Sequence, residues 1–155
     1  MPGFLRKCFL FILALAGSGS VLRAQVAISY YLHTSYLGVS TNPGRKCWAD
    51  LRLQTNTFVG FSSLELSPKL NLHRSELVST YVGIGVNFNV AQGGYNGQFV
   101  NGYLVSGGVR VTPFKEVRGV AFIFELSPYL NYGLTDGVIR TTLGVGYQFR
   151  KRKRG

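Results

Sequence analysis

Strict alternation of apolar and polar side chains is the feature that most constrains the fold of this chain. It runs through four long segments, of which residues 121–132 are the clearest. There Phe122 and Phe124 share one face, and Glu125 lies on the other. A period of two is typical of a β-strand whose two faces have different surroundings, and helical periodicity is hard to find after Val26. The chain is therefore predicted to be all-β.

The charges inside the predicted strands all fall on the polar face. Three acids and four bases occupy it: Asp50, Arg52, Glu65, Lys69, Arg110, Glu125 and Arg140. Charges that leave bulk water need partners, so this near balance is typical of an enclosed polar face. We therefore expect these seven residues to form a lumenal ion-pair network.

The opposite face of the same strands is apolar and aromatic. A soluble barrel would present its polar face to water, whereas a transmembrane barrel presents its apolar face to lipid and encloses the polar one. We predict eight strands, about 26–32, 35–41, 47–55, 62–72, 77–89, 102–112, 119–132 and 138–149. A barrel of this size is filled by its own side chains. The predicted fold is a closed antiparallel up-and-down transmembrane β-barrel with a polar lumen.

The start of the chain has the features of a secretory signal peptide. Arg6 and Lys7 precede an apolar run, residues 8–16, that is too short to span a bilayer as a helix. Small residues and Ala24 then provide a cleavage site. We predict that residues 1–24 are removed on export and that the barrel occupies residues 25–149.

Most of the formal net charge of +11 lies outside the predicted barrel. Residues 150–155 form a basic tail, and the basic residues of the connections fall at one predicted end. Basic side chains are attracted to anionic headgroups, so this end is predicted to be periplasmic and the long connection 90–101 extracellular. A nucleic-acid binder would carry its basic surface on the folded domain. The distribution argues against a nucleic-acid partner and favours the bacterial outer membrane.

One seven-residue phrase occurs in two copies that differ at a single position: ELSPKLN at residues 65–71 and ELSPYLN at residues 125–131. The copies fall on the fourth and seventh predicted strands, which run in opposite directions. Each places leucines on the outer face and a carboxylate on the inner one. Because proline cannot donate a ladder hydrogen bond, we predict a bulge or a pairing gap at Pro68 and at Pro128.

Several segments resemble the small outer-membrane β-barrel proteins of the Bacteroidota. They are LRAQVAISYY, DLRLQTNTF, YVGIGVNFN, GVRVTPF and the closing TTLGVGYQF. The resemblance covers the mature chain and implies an exported, membrane-embedded barrel of eight strands. It supplies no agreed activity and no functional residues. RKRKRG after Phe149 departs from the pattern, because the terminal strand usually closes such chains.

The same patterns bear on function. His33 and His73 are predicted at opposite ends of the barrel, so they cannot cooperate in catalysis, and no GxSxG elbow or histidine metal cluster occurs. We therefore expect no enzyme activity, metal or cofactor. The prediction is a monomeric outer-membrane protein with a structural or binding/adhesive role and a lumen plugged by ion pairs. Residues 90–101 are the candidate site for an extracellular ligand. The alternatives are a narrow passive pore, a lipid-modifying barrel enzyme and a soluble periplasmic barrel.

Overall fold

The computed structural model describes residues 25–55, 63–89, 99–114 and 119–149. The predicted signal peptide, the basic tail and most of the connection 90–101 lie outside the described residues. Within them the chain is all-β, and eight antiparallel strands follow sequence order around a closed barrel. No helix in this part of the chain is long and apolar enough to cross a membrane. The predicted up-and-down barrel is confirmed.

The strands begin and end within two residues of their predicted bounds. They are β1 (Ala27–Tyr31), β2 (Tyr36–Ser40), β3 (Cys47–Gln54), β4 (Ser63–Arg74), β5 (Val78–Asn89), β6 (Val100–Val111), β7 (Val120–Asn131) and β8 (Gly137–Gln148). We call the end of the barrel where β1 begins and β8 ends the terminal end, and the opposite one the far end. Strands β4 to β8 have 12 residues each, whereas β1 and β2 have only 5.

The hydrogen-bonded register shows how far the strands are staggered. From Leu66 on β4, paired residues lead through β3, β2 and β1 to Tyr147 on β8. In the other direction, through β5, β6 and β7, they lead to Gly137 on the same strand. The two positions are ten residues apart, so the sheet closes with a stagger of ten residues. Closing an eight-stranded sheet with such a stagger requires strands tilted by about 35–45°.

Alternate residues of each strand point into and out of the barrel. On β7, Glu125 is fully buried and its neighbour Leu126 is 45% exposed. The inward positions carry the charges, serines and asparagines, and the outward positions are mainly apolar from β1 to β8. The buried hydrophobic cluster consists mainly of aromatic residues: Tyr31, Tyr36, Trp48, Tyr81 and Ile123. These rings fill the space between the inward polar groups.

The two prolines of the repeated phrase interrupt the ladder on one side each. Pairing between β4 and β5 skips Ser67 and Pro68, and pairing between β6 and β7 skips Ser127 and Pro128. On their other sides, the ladders with β3 and β8 continue through both prolines. A proline nitrogen has no hydrogen to donate, and it faces the interrupted side in both cases. The predicted pairing gaps are confirmed.

The two gaps flank the hairpin formed by β5 and β6. Ile84 and Val105 pair with each other at the level of the two prolines, so four positions form one row on the outer surface. A local two-fold axis through this pair relates Pro68 to Pro128 and β4 to β7. The repeated phrase therefore recurs on strands of opposite direction because both copies occupy equivalent places around that axis.

Neighbouring glycines on β6 provide a matched test of the packing inside the barrel. A Cβ at Gly108 would lie 2.5 Å from the Tyr81 ring and 2.8 Å from the Phe124 carbonyl oxygen, whereas a Cβ at Gly107 would meet nothing within 4 Å. Gly108→Ala should lower the unfolding free energy by about 1–3 kcal/mol, the usual cost of overpacking. Gly107→Ala should change it by less than about 0.5 kcal/mol. Denaturant titration measures both, and equal effects would contradict this packing.

Candidate functional site

Six of the seven predicted lumenal residues meet inside the barrel. Their ion pairs join Asp50, Arg52, Glu65, Lys69, Glu125 and Arg140, which we call the charge cluster. They come from β3, β4, β7 and β8, and alternation along each strand directs them inward. The cluster contains three carboxylates and three cations, so its formal charge is zero.

Arg52 bridges the lumen from β3 to β7. Its Nη1 and Nη2 each donate a hydrogen bond of 2.8 Å to Glu125, to Oε1 and Oε2 respectively. Its Nε donates at 2.8 Å to Oδ2 of Asp50. The planar fork of arginine matches a carboxylate in this two-point arrangement, which makes it one of the stronger charge-assisted contacts.

Lys69 completes the neutralisation of the same two acids. Its Nζ donates at 2.6 Å to Oε2 of Glu125 and at 3.2 Å to Oδ2 of Asp50. The ammonium also lies 5.1 Å from the centre of the Trp48 ring and 4.7 Å from that of Tyr81. Aromatic faces attract a desolvated cation, so both rings add to the stabilisation of Lys69.

Hydroxyl groups use the remaining acceptor positions of the acids. Tyr81 donates to Glu125 at 2.8 Å, and Ser40 donates to Asp50 at 2.8 Å. The Tyr31 hydroxyl accepts from Arg52 Nη2 at 2.9 Å. The sequence analysis did not predict Tyr31, Ser40 or Trp48 as members of this site. The alternation of apolar and polar residues could have identified them, because all three lie at inward positions of β1, β2 and β3.

Glu65 and Arg140 form an outer part of the charge cluster, nearer the far end. Arg140 Nη2 donates to Glu65 Oε2 at 3.0 Å, and Arg52 Nη1 lies 3.7 Å from Glu65 Oε1. The Arg140 guanidinium lies 4.8 Å above the Tyr129 ring, and its side chain is 21% exposed. Arg52 therefore connects a fully buried part of the cluster to a partly exposed one.

Arg110, the seventh predicted residue, is placed differently. It is 7% exposed and lines a cavity of about 500 Å³ at the terminal end, together with Arg74 and Glu76. A second cavity, of about 390 Å³, lies at the far end and is lined in part by Arg140 and Tyr129. The fully buried part of the cluster lies between the two cavities.

The site's geometry provides hydrogen bonds and charge pairs rather than a set of metal ligands. Among the described residues, no group of three or more His, Cys, Asp or Glu side chains could hold a metal ion. His33 lies in the exposed turn after β1, and His73 lies on β4 near the terminal end. The two histidines are therefore at opposite ends of the barrel.

Removing one acid from the buried part of the cluster should destabilise the barrel strongly. Glu125→Gln keeps the shape of the side chain but leaves Arg52 and Lys69 with only one of their two shared counter-charges, Asp50. The expected loss of unfolding free energy is about 3–5 kcal/mol. Trp48, the only tryptophan in the chain, reports unfolding by fluorescence. Glu76→Gln, in an exposed turn, is the control and should leave the transition unchanged; similar curves for both variants would contradict the assigned role.

No protein-family model matches the chain, and no curated protein sequence matches it. The function is therefore inferred from the arrangement of the charge cluster, the outer face and the two cavities.

Proposed function

We propose that this protein is an integral protein of the bacterial outer membrane, with a structural or binding role and a lumen closed by the charge cluster. The proposal rests on the exposure of large apolar side chains over the outer face of the barrel. Large apolar side chains are 36–71% exposed on every strand of the barrel. A contiguous apolar surface of this extent is rare on a soluble monomer, and lipid is the solvent that matches it.

The distribution of outward aromatic residues supports a membrane position. One group lies toward the far end: Phe88, Phe99, Tyr103 and Tyr132. A second lies toward the terminal end: Phe122, Tyr147 and Phe149. Rings contact each other within both groups. Aromatic girdles at the two interfaces flank the apolar band of outer-membrane barrels.

Five of the eight strands are long enough to cross a bilayer, whereas β1 and β2 have 5 residues each and β3 has 8. A tilted transmembrane strand needs about 9–11 residues, and β4 to β8 have 12 each. Export to the outer membrane rests on the predicted signal peptide. The proposed lipid-facing surface extends around the barrel, which is consistent with a monomer.

A narrow passive pore is the second candidate, favoured by the cavities at the two ends of the barrel. Conduction would require ions to pass Arg52, Lys69 and Glu125, whose side chains are at most 4% exposed. Separating these charges without replacing their partners is costly, so we favour a closed lumen. For the lipid-modifying alternative, unchanged lipid A and phospholipid profiles on overexpression would count against an enzyme.

Lysine substitutions on the outer face test the membrane position. Ile84 and Leu72 are equally exposed, at 64% and 65%, but Ile84 lies mid-strand and Leu72 near the terminal end. In a bilayer, Ile84→Lys should cost about 2–4 kcal/mol and reduce insertion, whereas Leu72→Lys should cost about 0–1 kcal/mol. Outer-membrane fractionation and heat-modifiable migration on gels measure insertion. A wild-type protein found in the soluble periplasm, or two equally harmless variants, would reject the proposal.

Planar-bilayer recordings distinguish a closed lumen from a pore. The wild-type protein should show no unitary conductance, because the charge cluster occupies the lumen. Arg52→Ala removes the side chain that bridges β3 and β7, and should introduce conductance steps. Glu76→Gln, at the terminal end, is the control and should behave as the wild type. Stable open channels in the wild type would overturn the closed lumen and support the pore.

A further inference from the structure

The cavity at the far end is a polar bowl. Its lining includes Tyr36, Gln54, Asn87, Asn101, Tyr129 and Arg140, and its volume is about 390 Å³. We call it the bowl. Pockets for small molecules usually measure about 300–1,000 Å³, so the bowl is large enough for one small polar group. Arg140, which lines the bowl and donates to Glu65, connects the bowl to the charge cluster and forms its floor.

The wall of the bowl is low on one side. β1 ends at Tyr31, which pairs with Gly144, whereas β8 begins at Gly137, seven residues further toward the far end. The last bond across this edge is from the Leu32 nitrogen to the Leu143 carbonyl oxygen, at 2.9 Å. Beyond it, no strand of the described part of the chain continues beside β8. We call this opening, between the β1–β2 turn and the free edge of β8, the notch.

Exposed apolar side chains lie at the margins of the notch, beside the polar residues of the β1–β2 turn. Ile139 is 71% exposed on the outer face of β8, and Leu32 is 64% exposed in the β1–β2 turn. Val138 is 56% exposed although it lies at an inward position, because no described strand pairs with it on the β1 side. The bowl and the notch lie side by side at the far end, because the lining residues Tyr36 and Arg140 belong to β2 and β8. A polar cavity beside a gap with exposed apolar side chains matches a ligand with a polar head and an apolar chain.

The side chains of the bowl indicate which polar head fits. Gln54 and Asn101 each offer an amide donor and a carbonyl acceptor, and two tyrosines add hydroxyl groups. Asn87 already donates to Ser63 and Glu65 and accepts from Asn101, so it mainly holds the Asn101 side chain in place. Arg140 is already paired with Glu65, so the floor carries no excess positive charge for an anion. Its Nε has no hydrogen-bond partner among the described residues and remains a donor for a ligand oxygen. Mixed donors and acceptors suit sugar hydroxyl groups better than a phosphate.

We propose that the bowl binds the sugar headgroup of a glycolipid, which enters sideways through the notch. Its acyl chains remain outside the barrel, along Leu32 and Ile139. This inference rests on the proposed membrane function, since the notch faces lipid only in a membrane-embedded barrel. It places the ligand on strand side chains, of which only Asn101, at the start of β6, falls within the range 90–101.

The experiment uses the full mature protein in lipid nanodiscs, after heat-modifiable migration has shown that it is inserted. Galactosyl diacylglycerol is added in one series, and phosphatidylcholine with the same acyl chains in another. A third series adds methyl galactoside, which supplies the sugar without the chains. NMR shifts of the side-chain amides of Gln54, Asn87 and Asn101 report binding. Only the glycolipid series should shift them at micromolar to millimolar concentration.

Two variants identify the site of binding. Gln54→Ala removes one amide from the bowl and should weaken glycolipid binding by about threefold to tenfold, the effect of one hydrogen bond. Asn42→Ala removes an amide at the opposite end of the barrel and should leave the affinity unchanged. Absent shifts in an inserted barrel, or equal shifts with phosphatidylcholine, would overturn the site. Equal affinity for methyl galactoside would overturn entry through the notch. Failure to insert is a different result, because it rejects the membrane function.

Discussion

The removal of charges from water is the constraint on which the rest of this barrel depends. Arg52 and Glu125 lie on β3 and β7, which share no ladder, yet two bonds of 2.8 Å join them across the lumen. A change in the relative height of these strands would leave a buried charge without its partner, which is strongly unfavourable. The pair therefore helps to set the stagger of the sheet as well as to fill its interior.

The outer face constrains the alignment of the strands much less than the interior does. In the proposed membrane setting, lipid chains are as apolar as leucine, so an outward leucine gains little from one particular neighbour. A one-residue slip of a strand would instead bring its apolar row into the lumen and its charges into lipid. The register of the strands is consequently determined by the interior, where each acid has defined partners. The outer face mainly requires that it carries no charge.

The sequence was sufficient to predict the strands and their faces, because a period of two depends only on neighbouring residues. It also predicted the gaps at Pro68 and Pro128, since a missing N–H is a local property. It did not predict which charges meet. The relative heights of residues on different strands depend on the stagger of ten residues around the barrel. The alternation of apolar and polar residues contains no information about that stagger. Arg110 was therefore expected with the other six but lies at the terminal-end cavity, and Trp48 was missed beside Lys69.

The local two-fold axis explains why the cluster has two parts with different exposure. Because the axis is perpendicular to the wall, it places Glu65 toward the far end and Glu125 toward the terminal end, on opposite sides of the proline row. The same phrase thus gives one acid that meets the partly exposed Arg140 and another that is enclosed by Arg52, Lys69 and Tyr81. A group in the bowl would contact the first part directly. The second part would stay closed behind it, so binding at the far end does not require the lumen to open.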